Sequence, residues 1–444
     1  MSPGRQALPF TTERRGSLAF LARMALLETD RLERAREQTL ALVDAVDDAD
    51  LERVHSPLMS PLVWDLGHIA VFEDLWLAHN RDGLPLLRPE LLAVYDAFET
   101  PRASRGDLPY LRRDEAERFL ADVRDRVRSL APADGDTIGE LVIRHERQHA
   151  ETMLQTLALA ALDGWQPPRL ADPATAVARG EHSGLDLVDV PTATVPIGAG
   201  ADGFAYDNER SQHQVEIEGF AIGRVAVTNG DWLEFIGDGG YAHKEWWSQA
   251  GWKWRQREGA ERPLHWLSDS TERGLAGVAE LDPRSPVVHV SFYEADAFAR
   301  SRGVRLPTEA EWETAATWDA RVATKLVWPW GAQSPQARHA NLIESAVFAP
   351  LPVGALPDGA APCGALGMIG DVWEWTASEF RPYPGFTAYP YREYSEVFFG
   401  SGYRVLRGGS FAASADVVTP TFRNWDLPQR RQIFAGLRVA ADAA

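Results

Sequence analysis

The sequence predicts two domains of different class: an N-terminal all-α four-helix bundle over residues 14–162, and a C-terminal, irregular α+β domain over residues 186–441. Three observations predict it. Four long amphipathic stretches precede residue 163, a Pro-, Gly- and Ala-rich run without period follows, and short strand-like segments then alternate with Trp, Gly and Pro. A chain of 444 residues also exceeds what one hydrophobic core usually holds.

The elements follow in order. "RRGSLAFLARMALLETDRLERAREQTLALVDAV" carries apolar residues three and four apart with charges between them, the pattern of a helix with one buried stripe. "SPLVWDLGHIAVFEDLWLAHN" is the second helix, with Ser56 and Ser60 as candidate caps. "RDEAERFLADVRDRVRSLA" is the third, and "GDTIGELVIRHERQHAETMLQTLALAAL" the fourth, stopped by Asp163-Gly164. Four such helices joined by loops make a bundle. Residues 163–185 read as a linker. Strand-like runs come next, "LVDVPTATVPIG" and "HQVEIEGFAIGRVAVTN", then helices at "SFYEADAFARSRG" and "TEAEWETAAT". Twelve of the sixteen tryptophans lie beyond residue 240, as expected of aromatic anchors in a fold short of long helices.

Composition excludes several functions. A net charge of −19 without a basic stripe argues against nucleic acid or an anionic membrane surface as partner. Cys363 stands alone, so neither an intrachain disulfide nor a cysteine-based zinc site can form. The N-terminus lacks an apolar signal core, and no segment approaches the ~18 apolar residues of a membrane span. A cytoplasmic location is the expectation. Nothing in the sequence speaks to oligomeric state.

The chemistry concentrates in "IRHERQHAET". His145 and His149 are four residues apart and leave one helix face, so they can share one metal ion. The same stretch satisfies the zinc-protease pattern, with Glu146 as general base. A plain pair of solvent-facing or core histidines is the competing reading. His68, among apolar residues of the second helix, needs a partner if buried and is a geometrically reasonable third ligand. Three imidazoles leave open positions for a catalytic transition metal. His79, eleven residues on, reads as structural. Glu151 is a competing carboxylate ligand, although it leaves a different face from His149.

"SPVVHVSFYEADAFARSRGVRLPTEAEWETAA", "GALGMIGDVWEWTASEF", "YRVLRGGSF" and "FRNW" resemble the formylglycine-generating-enzyme, or sulfatase-modifying-factor, domain. The resemblance implies a C-type-lectin-like fold. Formylglycine formation needs paired cysteines, which this chain lacks. "LGHI" followed by "HERQHAET" resembles a DinB-like bundle. In this order the two domains resemble the ergothioneine-biosynthesis sulfoxide synthases, non-haem iron enzymes that use O2 to join a cysteine-containing thiol to the imidazole of Nα-trimethylhistidine.

That resemblance implies Fe(II) held by His68, His145 and His149. It implies Tyr391 in "AYPYREYSEVFFG" as proton donor, with Tyr394 and Gln148 at the acceptor imidazole. From "FRNWDLPQRRQIFAG" it implies Asn424, Trp425, Asp426 and Arg430 as pocket residues. Asp426 would meet an ammonium, Arg430 a carboxylate, and Trp425 the trimethylammonium, which offers no N–H and favours an aromatic face. Arg102 and Arg105 in "TPRASRGDLP" would clamp carboxylates of the thiol donor, favouring γ-glutamylcysteine over cysteine. Two alternatives stay open. One is an ovothiol-type synthase acting on histidine, against which stands the expectation that no methyltransferase domain follows Ala444. The other is a non-catalytic, lectin-like ligand-binding protein.

Overall fold

The computed structural model describes residues 13–130, 137–169 and 182–443, so most of the predicted linker, residues 170–181, lies outside the described residues. The chain divides into two compact units, Met1–Arg53 with Ser60–Glu146, and Val54–Met59 with Arg147–Ala444.

The first unit is helical. Helices α1 (Glu13–Val43), α2 (Asp48–Leu51), α3 (Leu62–Glu73), α4 (Arg113–Arg128) and α5 (Thr137–Ala160) include the four long stretches expected. The division between the units falls within α5, after Glu146. All twelve residues of α3 are buried, Asp65, His68 and Glu73 among them, so this stretch lacks the solvent face expected of an amphipathic helix. Its last turn runs on into a π-helical segment, Asp74–Arg81. Helix α4 shows the opposite pattern, burying Ala116, Phe119, Leu120, Val123, Arg124 and Val127 on one stripe. Neither Ser56 nor Ser60 caps α3. Pro61 occupies the cap position, where it makes no side-chain cap bond, and Ser60 Oγ instead accepts a hydrogen bond from Arg105 at 2.7 Å. Helix α5 stops before Asp163-Gly164, because Ala161 turns left-handed at φ 48°.

The second unit is built from short pieces. Strands β1 (Leu187–Val190), β2 (Ala193–Ile197), β3 (His213–Ile217) and β4 (Phe220–Gly223) come first, then helices α6 (Asn229–Gly237) and α7 (Gln249–Glu258). A hairpin of β5 (Thr271–Gly274) and β6 (Gly277–Glu280) precedes α8 (Phe292–Ser301) and α9 (Glu309–Thr317). The rest comprises β7 (Trp318–Asp319), β8 (Thr324–Lys325), β9 (Trp373–Glu379), β10 (Arg404–Arg407), β11 (Asn424–Asp426), β12 (Ala435–Leu437) and β13 (Ala440–Asp442). The central sheet runs β11-β10-β9-β12, antiparallel except where β12 meets β9. A second sheet, β1-β4-β13, ties the first strand of the unit to the last.

Helices α8 and α9 begin at capping boxes, Ser291 with Glu294 and Thr308 with Glu311. The sequence reading missed α6 and α7, although Thr228–Asp231 forms the same box at the start of α6. Trp232, Trp312, Trp373 and Trp375 are fully buried, the anchoring role expected of them. Irregular chain leaves carbonyls without ladder partners, and buried arginines supply the donors. Arg423 reaches the carbonyls of Asn208 and Arg381 while pairing with Glu309, and Arg438 reaches those of Gly223 and Leu366 while pairing with Glu374. No described helix is long and apolar enough to cross a membrane.

Candidate metal centre

His68, His145 and His149 each offer one ring nitrogen, and the three nitrogens lie within 4.8 Å of one another. His68 Nε2 and His145 Nε2 are 3.1 Å apart. The surroundings decide which nitrogen of His68 is available. Its Nδ1 sits 2.7 Å from the Tyr95 carbonyl, which can only accept, so Nδ1 carries the proton and Nε2 presents its lone pair. Gly67 makes that contact possible. A Cβ there would stand 2.2 Å from the Tyr95 phenol ring, so any larger residue would push the tyrosine off α3. Trp64, one turn earlier, stacks on the His68 ring at 4.8 Å, and Phe72 stacks on His145 at 3.6 Å. The donor set and its fixed tautomer fit a divalent transition metal.

Glu146 does not face this cluster. It is buried among Arg36 and Arg124, with Arg36 Nε donating to it at 2.8 Å. Both arginines also bind Glu73 of α3, Arg36 through Nη2 at 2.8 Å and Arg124 through Nε at 2.8 Å. Two cations and two anions thus join α1, α3, α4 and α5 in a buried, neutral quartet. Burial pushes the Glu73 carboxyl up, but the two guanidiniums outweigh it and hold the group below its ordinary value. Glu146, with both carboxylate oxygens bound to Arg36 and Arg124, is not placed to act as a general base, which removes the protease reading. Glu151 is also spoken for, accepting from Trp373 Nε1 and Ser410 Oγ, both at 2.7 Å. His79 Nδ1 bonds the Leu84 carbonyl at 2.8 Å, a structural role.

The second unit gathers an aromatic cluster around Gln148. Gln148 Nε2 donates to Tyr206 Oη at 3.0 Å and approaches Tyr394 Oη at 3.4 Å. The rings of Tyr206 and Tyr394 stack at 4.4 Å and 7°. Tyr391 and Trp425 each meet Tyr394 edge-on, at 6.2 and 5.8 Å. Burial, then the charges of Asp207 and Glu393, push the Tyr391 phenol well above its usual value, and burial does the same to Tyr394. Asp207 pins the loop that carries both tyrosines, accepting from Ser395 Oγ at 2.6 Å and from the Tyr389 amide at 3.3 Å.

Comparison with known proteins places the chain. Residues 175–443 match the Sulfatase-modifying factor enzyme 1-like domain, and residues 31–161 match the DinB superfamily. A hercynine oxygenase of Mycolicibacterium thermoresistibile is 48% identical over 92% of this chain and 93% of its own. The chain belongs to the hercynine oxygenase family. The hercynine oxygenase of Mycobacterium tuberculosis is 47% identical, over 93% of this chain and 97% of its own. A formylglycine-generating enzyme of Mycobacterium tuberculosis is 30% identical over 45% of this chain and 75% of its own. The expected class, a helical DinB-like region followed by an α+β sulfatase-modifying-factor domain, is the one found.

The remaining candidates of this hercynine oxygenase relative fall as follows. Arg102 is exposed at the start of a 3-10 turn, Arg102–Asp107. Arg105 is buried, donating to the Thr100 carbonyl, Ser60 Oγ and the Ala97 carbonyl, with its guanidinium 3.8 Å over Trp64. Burial pulls that guanidinium down to about 10, still charged at neutral pH. Asn424, Trp425 and Asp426 form β11, where alternation turns Trp425 to one face and its two neighbours to the other. Trp425 stacks on Phe380 at 4.2 Å. Asp426 Oδ1 accepts from the Leu427 amide at 2.7 Å and lies 3.6 Å from Arg430 Nε, which is buried without a hydrogen bond. Sequence reasoning missed Trp64, Phe72, Tyr95, Tyr206 and Asp207. Trp64 and Phe72 stand four residues either side of His68 and carried a helical signal. Tyr206, in a stretch without period, carried none.

Proposed function

We propose that the protein is an Fe(II)- and O2-dependent oxygenase that joins the imidazole of hercynine, which is Nα-trimethylhistidine, to the thiol of a cysteine-containing donor. The product is a sulfoxide, as a step of ergothioneine biosynthesis. The observation that carries this reading is a three-imidazole cluster in a chain 48% identical, almost end to end, to a protein named for hercynine oxygenation. In the overall balance a thiol S–H and a ring C–H are lost, sulfur gains one oxygen atom, and the second oxygen leaves as water.

His68, His145 and His149 would hold the ion. When bound, iron(II) supplies the one-electron chemistry that triplet dioxygen requires before it oxidises closed-shell sulfur. The protein does the rest by positioning and by proton supply. Tyr391 donates the proton, and its raised phenol keeps that proton in place across the neutral range. Tyr394 and Gln148 meet the imidazole. Trp425 takes the trimethylammonium end, where an aromatic face suits a cation without N–H groups. Arg102, Arg430 and Asp426 bind the charged ends of the donor, favouring γ-glutamylcysteine over cysteine. Arg105 contributes to the same end through the two N–H groups its protein bonds leave over.

Anaerobic reconstitution with iron(II), then O2 with hercynine and either γ-glutamylcysteine or cysteine, tests the proposal by mass spectrometry. The expected product is a sulfoxide adduct, formed faster with γ-glutamylcysteine. Loss of both substrates without a joint adduct, or no reaction with either thiol, overturns it.

A further inference from the structure

We infer that Glu146, the glutamate of the H-E-x-x-H pattern, is a positioning residue: with Arg36, Glu73 and Arg124 it fixes how α5 is turned against α3, and so sets the metal affinity of the histidine site. The inference rests on the preceding reading that His68, His145 and His149 hold the ion.

The site is shared between two helices, so its geometry depends on their mutual rotation. His68 comes from α3, and His145 and His149 come from α5. Side chains reach about 5–6 Å from a helix axis, so a turn of about 10° moves their ends by about 1 Å. That exceeds the roughly 0.5 Å within which a metal constellation must be held. Apolar packing is non-directional and does not by itself select one rotation. Every residue of α3 is buried, so exposure of a polar face does not select one either.

The quartet supplies the direction. Glu146 is 1% exposed, follows His145 directly, and leaves α5 about 100° away from it. Arg36 of α1 holds both of its oxygens, through Nε at 2.8 Å and Nη2 at 3.3 Å, and Arg124 of α4 donates through Nη2 at 3.4 Å. The same two guanidiniums hold Glu73 of α3, Arg36 through Nη2 at 2.8 Å, Arg124 through Nε at 2.8 Å and Nη2 at 3.0 Å. Arg36 is itself tied to α4, where its Nη1 donates to the Leu120 carbonyl at 3.0 Å. A guanidinium presents its N–H groups in a rigid planar fork. Two forks that each bind both carboxylates therefore set the spacing and the rotation of α3 against α5. The helices meet at a second place, where His68 Nε2 lies 3.1 Å from His145 Nε2. Two points of attachment define a rotation where one does not. All six residues lie in the first unit.

Stability does not account for such a network. Desolvating buried charges offsets most of what their pairing returns, and apolar side chains of similar volume often serve as well or better. Apolar side chains do not specify one rotation, so the two roles separate by experiment.

The test replaces the quartet in the full-length protein with Arg36→Met, Glu73→Leu, Arg124→Met and Glu146→Leu. Anaerobic titration with cobalt(II), whose visible absorption reports its ligand geometry, is read beside denaturant unfolding of the metal-free protein. The unfolding midpoint should be no lower than that of wild type, while cobalt affinity falls about 100-fold and its absorption bands shift. A second variant, Arg36→Met with Glu146→Leu, leaves the Arg124–Glu73 pair intact and should weaken cobalt about tenfold; it decides the matter if the fourfold variant does not fold. Both variants keep the net charge of the quartet, so a loss of affinity does not come from the local field. Wild-type cobalt affinity and absorption in folded variants overturn the inference alone. A wild-type protein that binds no cobalt overturns the reading of the histidines, and this inference with it.

Discussion

The helical unit and the α+β unit both bury full charges in pairs, Arg36 with Glu73 in one and Arg407 with Glu313 and Arg438 with Glu374 in the other, but they surround their remaining polar groups differently. The helical unit buries full charges and cancels them: Arg36, Glu73, Arg124 and Glu146 form a neutral quartet, and two aromatic rings orient His68 and His145. The α+β unit stacks phenols and indoles around Gln148 and pins the loops with individual side chains such as Asp207 and Arg423. Regular backbone satisfies itself, so its buried side chains are free to pair with one another. Irregular backbone must be satisfied by side chains, so these become scaffold and pocket wall together.

The largest test of this contrast removes a ligand. His145→Ala should abolish stoichiometric iron binding, read by metal analysis after anaerobic reconstitution and desalting, and should leave no adduct. Normal iron content in that variant would mean the helical unit is not the metal carrier. Tyr391→Phe should separate the two roles, keeping iron at wild-type stoichiometry while adduct formation falls about 10²- to 10⁴-fold, measured in single turnover. If Tyr391→Phe loses iron instead, the division of labour proposed for the two units is incorrect.

Glu73→Gln probes the quartet. Removing one buried anion leaves Arg124 and Arg36 undercompensated, which should cost about 3–5 kcal/mol in denaturant unfolding. A loss below ~1 kcal/mol would mean that water reaches the quartet. The smallest effect is in the pH dependence, where the units should differ in sign. Glu73 is held below its ordinary 4.5, so the stability it contributes is complete above that pH and drains away as pH falls through the lower folded value. Tyr391 is raised above its ordinary 10.0, so the unfolded phenol ionises first and stability falls as pH rises beyond that point. Unfolding midpoints should therefore lose pH dependence on the acid side in Glu73→Gln and on the alkaline side in Tyr391→Phe. Parallel pH profiles for wild type and both variants would remove this contrast.

The two regions also differed in how far they could be read in advance. Helical period placed His145 and His149 on one face, and apolar surroundings marked His68 as needing a partner. In the α+β unit the same reasoning had little to work on. Tyr391, Tyr394, Asn424, Trp425, Asp426 and Arg430 were reached only by resemblance, and Tyr206 not at all, because turns, 3-10 segments and a three-residue strand are too short to impose a readable spacing on the residues they present. The caps show the same limit at smaller scale. Ser60 has a cap residue's chemistry, but Pro61 took the position and Arg105 took the hydroxyl.

By itself, the sequence determined the succession of a helical and an α+β part, the helical face that carries two imidazoles, and the impossibility of an intrachain disulfide with a single cysteine. These follow from period and composition, which are local properties of the chain. Tertiary structure alone decided that Glu146 is a structural anion, that the Tyr95 carbonyl sets the tautomer of His68, and that Tyr206 and Tyr394 both meet Gln148. Each depends on groups far apart in sequence meeting within hydrogen-bond distance, and no local pattern encodes such a meeting.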